Sequence, residues 1–190
     1  MVEDPRHRAL APPSTPASST PARLFLALWP NHDQRALLVR HRNDWGWPRG
    51  ASPVCDERLH LTLHFIGSVE RKRVDEVAAG LVVPMTPFSL RLTQPQIWPN
   101  GIAVLSAVTF PEALADLHNR LARALHALAL PVEARRFRPH VTLARRARGA
   151  VPPGVATDIE WQVDNYLLVE SALAVGGGYR MRSKVWGEGV

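Results

Sequence analysis

Two short segments of this 190-residue chain repeat one another. Arg58-Leu59-His60-Leu61-Thr62-Leu63 and Arg138-Pro139-His140-Val141-Thr142-Leu143 share the pattern Arg-x-His-x-Thr-Leu, 80 residues apart. Of the eight histidines, only these two are followed by x-Thr. Around the first motif Leu61, Leu63 and Phe65 alternate with His60, Thr62 and His64, a period of two that makes one face of a strand apolar and the other polar. In a strand, residues i and i+2 point the same way, so each motif presents an imidazole beside a hydroxyl. The repeat therefore predicts two similar halves. If they pack with these strands side by side, two imidazoles and two hydroxyls converge on one tetrahedral anion.

The remaining pattern supplies the rest of both halves. Leu24 to Trp29 reads as a short apolar strand, Pro30 and Asn31 as a break and helix cap, and residues 33–44 as an amphipathic helix. The strand of the first motif, Leu59 to Ile66, is expected to end at Gly67. Val74, Val77, Ala78 and Leu81 then recur at helical spacing until Pro84. Phe88 to Trp98 and Ile102 to Phe110 read as strands joined through Pro99, Asn100 and Gly101. Pro111 opens the clearest helix, with Leu114, Leu117, Leu121, Leu125 and Leu128 in one stripe, Arg120 and Arg123 toward solvent, and Pro131 as the stop. Strands follow at His140 to Ala144, around Trp161 to Leu173 and around Tyr179 to Trp186. Helices and strands are mixed and hairpins outnumber βαβ signals, which predicts the α+β class.

Composition sets the outer limits. With 46% hydrophobic and 21% charged residues, the chain can build one core or two small lobes sharing an interface. Residues 1–21, rich in Pro, Ser, Thr and Ala, have too little apolar surface to offset ordering entropy and are expected to be a flexible tail, leaving 22–190 as the folded part. The tail lacks the apolar stretch of a secretory signal and no later run is apolar enough to span a bilayer, so a soluble, cytoplasmic protein with no membrane partner is expected. The apolar stripes are consumed by one core, which predicts a monomer. Cys55 is the single cysteine, which excludes an internal disulfide and a cysteine-based zinc site; it is expected to be a small half-buried residue near a strand. The net charge of +6 favours an anionic partner.

The unperturbed histidine pKa, about 6.5, lets one copy be neutral and another protonated near neutral pH, so His60 and His140 can serve as base and acid in one turnover. On a cyclic phosphodiester, one would take a proton from attacking water while the other gives one to the departing ribose oxygen. Thr62 and Thr142 would hold the non-bridging oxygens. This scheme needs neither metal nor nucleotide cofactor. Six arginines crowd residues 135–148; most suit a solvated surface, whereas Arg145, at the end of the second strand, is a candidate to clamp a phosphate or stack on a base. His64 nominally shares the face of His60, and a three-histidine metal site with His60 and His140 is the alternative; a metal there would consume the acid–base pair and leave the threonines unexplained. His7, His32, His41, His118 and His126 are expected in the tail or on helix surfaces.

These residues resemble the 2H phosphoesterase superfamily and, within it, the RNA 2′,3′-cyclic phosphodiesterase family, also called LigT-like or 2′-5′ RNA ligase. The resemblance spans Arg23 to Trp186. It is carried by Arg23-Leu24-Phe25-Leu26-Ala27-Leu28, by His60-Leu61-Thr62-Leu63-His64-Phe65-Ile66-Gly67 and by Phe137-Arg138-Pro139-His140-Val141-Thr142-Leu143-Ala144-Arg145, with Ser171, Tyr179 and Trp186 in the closing strands. It implies a bilobal fold of two antiparallel sheets related by a pseudo-twofold, with flanking helices and the site in a central groove. It implies metal-independent opening of RNA 2′,3′-cyclic phosphate ends to a 2′-phosphate, and a reverse reaction joining RNA ends by a 2′-5′ linkage; a 2H phosphoesterase acting on a small cyclic nucleotide or ADP-ribose cyclic phosphate, using the same four residues, is the rival from the enzyme class. Carried over, His60 is the acid, His140 the base, and Arg145, Phe137 and Tyr179 are candidate RNA contacts. A catalytically idle RNA-binding module with a basic face, and a structural protein with coincidental motifs, are the readings from other classes.

Overall fold

The computed structural model describes residues 20–171 and 179–181. The expected tail falls almost wholly outside these residues, as do Trp186 and the Gly176-Gly177-Gly178 run. The chain opens with strand β1 (Ala22–Leu28) and helix α1 (His32–Asn43), whose first turn is capped by the Asn31 side chain accepting from the Gln34 N–H at 3.0 Å. Strand β2 (Ser52–Pro53), β3 (Leu61–Val69) and helix α2 (Val74–Gly80) follow. Then come β4 (Phe88–Leu92), β5 (Gln94–Ile97), β6 (Ala103–Ser106), helix α3 (Glu112–Ala127), β7 (His140–Arg145), β8 (Ile159–Val163), β9 (Leu167–Ser171) and β10 (Tyr179–Met181).

Two antiparallel halves, β10-β9-β1-β3 and β7-β6-β5 with β2 also on β7, meet at their central strands. Among the described residues the junction between β3 and β7 is one antiparallel pair, Leu61 with Val141. Both side chains are fully buried, so they belong to the core face. In that register residue 60 stands opposite 142 and residue 62 opposite 140. The flanking polar residues of each motif therefore share the other face, each histidine across from a threonine of the other motif. The pseudo-twofold of the motif repeat runs through this pair.

The core face carries Leu24, Leu26, Leu28, Leu61, Leu63, Leu143 and the α3 stripe Leu114, Leu117, Leu121 and Leu125, all buried. A second, two-stranded sheet of β4 and β8 packs Phe88, Leu90, Leu92, Ile159, Trp161 and Val163 into the same core.

Several expectations need correction. The strand expected over Phe88 to Trp98 is two strands in different sheets, and so is the one expected over Trp161 to Leu173. Thr93 lets the chain leave the small sheet for the edge of the large one, where Pro95 is tolerated because an edge strand leaves donors unused. Asp164 and Asn165, hydrogen-bonded to one another at 2.6 Å, make the corresponding break between β8 and β9. Gly67 does not end β3. Opposite Leu24 and Phe25, β3 carries an extra residue, and Gly67 adopts φ 86° there, a left-handed conformation that disfavours any side chain. Cys55 is exposed rather than half-buried. His41 is buried, accepting from the Trp45 indole N–H at 3.2 Å, and His118 is partly buried, so neither belongs to a bare helix surface.

Candidate active site

The repeat extends beyond the motif letters. In β1–β3 pairing Ala27 faces Thr62 while Leu26 faces His64, so Leu63 is an extra, bulged residue. In β6–β7 pairing Val104 faces Thr142 while Ala103 faces Ala144, so Leu143 is bulged in the same way. The shared leucine of Arg-x-His-x-Thr-Leu is thus the bulge position in both halves. A bulge shifts every later residue to the opposite face. The exposure of residues 60–65 and 140–145 follows one sequence: intermediate, buried, intermediate, buried, buried, exposed.

Two consequences follow for the expected site. Arg145 is five residues from His140, an odd spacing that strict alternation would send to the core; the bulge returns it to the groove. By the same displacement His64 leaves the face it nominally shares with His60. It is 3% exposed, and its Nε2 donates to the His118 carbonyl at 2.9 Å. Phe65, at the position equivalent to Arg145, is exposed, and the Arg23 guanidinium lies 5.0 Å from its ring centre.

The groove face has two connected basins. One, of about 470 Å³, is lined by His60, Arg58, Phe25, Ser52, Tyr179 and Cys55 among others. The second, of about 810 Å³, is lined by His140, Trp98, Phe137, Arg135, Arg136 and Arg138 among others. Thr62, Thr142, Arg145 and Phe65 line both. The structure therefore brings all four motif residues and Arg145 to one place, with one histidine on either side of the shared threonines and arginine.

Each catalytic candidate is held in the same manner. His60 Nδ1 lies 2.7 Å from the Arg58 carbonyl, and His140 Nδ1 lies 2.7 Å from the Arg138 carbonyl. A carbonyl only accepts, so Nδ1 carries the hydrogen in both rings and Nε2 is the nitrogen left to exchange a proton. Burial pushes the His60 ring down to about 4; the Arg58 carbonyl opposes the shift, and the charges of His140 and Arg145 reinforce it. Burial also lowers His140, with Arg135 adding to the effect against the Arg138 carbonyl. Both rings are therefore held toward the neutral form.

Tyr179 stands edge-on to His60 at 5.5 Å between ring centres, with the Arg58 guanidinium 5.6 Å from its own ring. Phe137 is more deeply engaged than a free RNA contact would be. It stacks on His118 at 4.1 Å, and His118 stacks on His64 at 4.0 Å, a three-ring column from the strand of the first motif to the segment leading into the second. Burial lowers both imidazoles, His118 to about 4, which keeps the column uncharged. Other arginines of the basic run have protein partners: Arg135 pairs with Glu133, Arg146 with the Ser52 hydroxyl, and Arg148 donates to the Pro99 carbonyl at 2.8 Å.

Sequence reasoning missed three of these groups. His118 carries no motif. Trp29, stacked on His60, and Trp98, 4.5 Å from His140 between ring centres, had a signal: Trp-Pro-Asn occurs at 29–31 and again at 98–100.

The chain is similar to known proteins over most of its length. A family model described as the 2′-5′ RNA ligase superfamily matches residues 49–172, which include both motifs. An RNA 2′,3′-cyclic phosphodiesterase of Thermus thermophilus is 36% identical over 170 residues, covering 82% of this chain and 84% of that protein. One from Escherichia coli is 31% identical over 164 residues, covering 83% and 92%. The crystal structure of E. coli LigT complexed with 3′-AMP superposes with a TM-score of 0.76 at 29% identity, covering 88% of this chain and 98% of that one. The chain belongs to the 2′-5′ RNA ligase superfamily.

Proposed function

We propose that this protein opens 2′,3′-cyclic phosphate ends of RNA to 2′-phosphates, without a metal ion, using His60 as acid and His140 as base. The observation that carries this reading is the matched pinning of both Nδ1 atoms on backbone carbonyls, with the Thr62, Thr142 and Arg145 side chains between the two rings. The phosphate sits there, its non-bridging oxygens accepting from the threonine hydroxyls and the Arg145 guanidinium. Water on the His140 side attacks phosphorus in line with the P–O3′ bond and gives its proton to His140 Nε2. As P–O3′ breaks, His60 Nε2 passes its proton to O3′. The products are a 2′-phosphate and a 3′-hydroxyl, with His60 neutral and His140 protonated until solvent restores them. A 5′-hydroxyl in place of water joins two RNA ends by a 2′-5′ linkage. The second basin, larger than water requires and lined by Arg136 and Arg138, favours a strand over a lone nucleotide as partner.

The acid must be protonated although its burial and the nearby charges disfavour charge on His60. The substrate phosphate supplies the missing anion and raises both rings toward protonation. The sign follows for the pH profile. The reaction needs His140 neutral and His60 protonated, so activity falls at low pH as the base is lost and at high pH as the acid is lost. The alkaline limb of kcat/KM, which reports the free enzyme, is therefore expected well below the alkaline limb of kcat, which reports the complex. Steady-state profiles on a short RNA ending in a 2′,3′-cyclic phosphate check this. Coincident alkaline limbs would remove the substrate-assisted acid.

A further inference from the structure

We propose that Trp29 is a positioning residue for the proton donor: its indole face fixes the plane of the His60 ring and stabilises that ring when it is protonated. The inference rests on the reading of His60 as acid given above. A hydrogen bond at Nδ1 restrains rotation of the imidazole about Cβ–Cγ but supports neither face of the ring. The Trp29 indole lies along the His60 ring at 5.1 Å between centres with an interplanar angle of 1°, which supports one face and narrows the rotation that the hydrogen bond leaves. Phe25 closes on the same ring at 5.1 Å with a tilt of 34°.

Trp29 is itself immobilised by its place in the chain. It directly follows β1; Pro30 behind it is buried and restricts it to extended backbone; Asn31 caps α1; and Arg35 donates to the Pro30 carbonyl at 3.2 Å. Trp29 is not among the described residues that line either basin, whereas His60 is. Its route to the reaction is therefore through His60. Trp98, the counterpart in the repeated Trp-Pro-Asn, differs on both counts. It lines the larger basin and meets His140 at 55°.

The flat stack has a chemical consequence beyond orientation. An indole face attracts an imidazolium more strongly than a neutral imidazole, so Trp29 favours the proton on His60. Of the other groups facing His60, only the Arg58 carbonyl among those that shift its charge also favours the proton; Arg145 and His140 from β7 oppose a charge there, and Tyr179 from β10 presents a phenol edge-on. Trp29 is thus a built-in counterweight that keeps the acid chargeable once substrate arrives.

The test measures kcat and KM against pH for the parent, Trp29→Phe, Trp29→Leu and His60→Ala, on RNA ending in a 2′,3′-cyclic phosphate, with melting temperatures recorded for each. Trp29→Leu is expected to lower kcat roughly tenfold at neutral pH with KM within about twofold, and to move the alkaline limb of kcat down by roughly half to one pH unit. Trp29→Phe, which keeps an aromatic face, is expected to fall between Trp29→Leu and the parent on both readouts, and decides the matter should the leucine variant not fold. A raised KM with an unmoved limb would overturn the proposal and make Trp29 a substrate contact. Equal losses in both variants with an unmoved limb would overturn it in favour of simple packing. A His60→Ala protein that turns over like the parent would overturn the acid assignment itself, whereas an inactive His60→Ala beside a fully active Trp29→Leu would overturn the role of Trp29 alone.

Discussion

His60→Ala and His140→Ala are each expected to lower turnover of a cyclic-phosphate RNA end by about 10²- to 10⁴-fold, and the double variant to lose little more than the worse single one, as the proposed acid and base would act in one step. Neither change should unfold the protein. Both rings are only partly buried, and each is hydrogen-bonded to the backbone carbonyl two residues before it, at residue 58 or 138. Single-turnover rates and melting curves check both statements together. The two variants should also separate. Losing the base leaves a protonated His60 beside the phosphate, so a leaving group better than a ribose hydroxyl rescues His60→Ala and fails to rescue His140→Ala. Rescue of both, or of neither, would contradict the assignment of roles.

Thr62→Val and Thr142→Val are each expected to cost roughly 10²-fold in kcat, the scale of one preorganised donor lost from a charge-stabilising site. Valine matches threonine in shape and suits a strand, so β3 and β7 should keep their bulges. The two effects should be similar, since the threonines occupy equivalent places across the Leu61–Val141 pair. Binding of inorganic phosphate, followed by calorimetry, should weaken in both. A loss confined to one threonine would mean that the pseudo-twofold of the backbone does not extend to the chemistry.

Much of this site was legible because its determinants are local. Strand periodicity put His60 with Thr62 and His140 with Thr142, and the motif repeat announced the two halves before any contact was known. The helices were legible for the same reason: Asn31 caps α1, and the α3 leucine stripe is buried at four positions as its spacing requires. What escaped was long-range. The bulges at Leu63 and Leu143 exist only in relation to partner strands, so alternation carried His64 to the wrong face and gave no reason for Arg145 to reach the groove. The breaks at Thr93 and at Asp164-Asn165 mark changes of sheet, and an apolar run does not say which sheet its residues join. The three-ring column of His64, His118 and Phe137 joins segments 54 and 19 residues apart, with no pattern in the sequence to link them.

The central claim is that two histidines alone move the protons. It is tested most directly by the turnover of a short RNA ending in a 2′,3′-cyclic phosphate by the parent protein in the presence of a strong chelator. Undiminished conversion to a 2′-phosphate end is the expected result. Loss of turnover in chelator that returns when a divalent metal is restored, or a folded protein that binds this RNA and leaves its cyclic end intact, would contradict it.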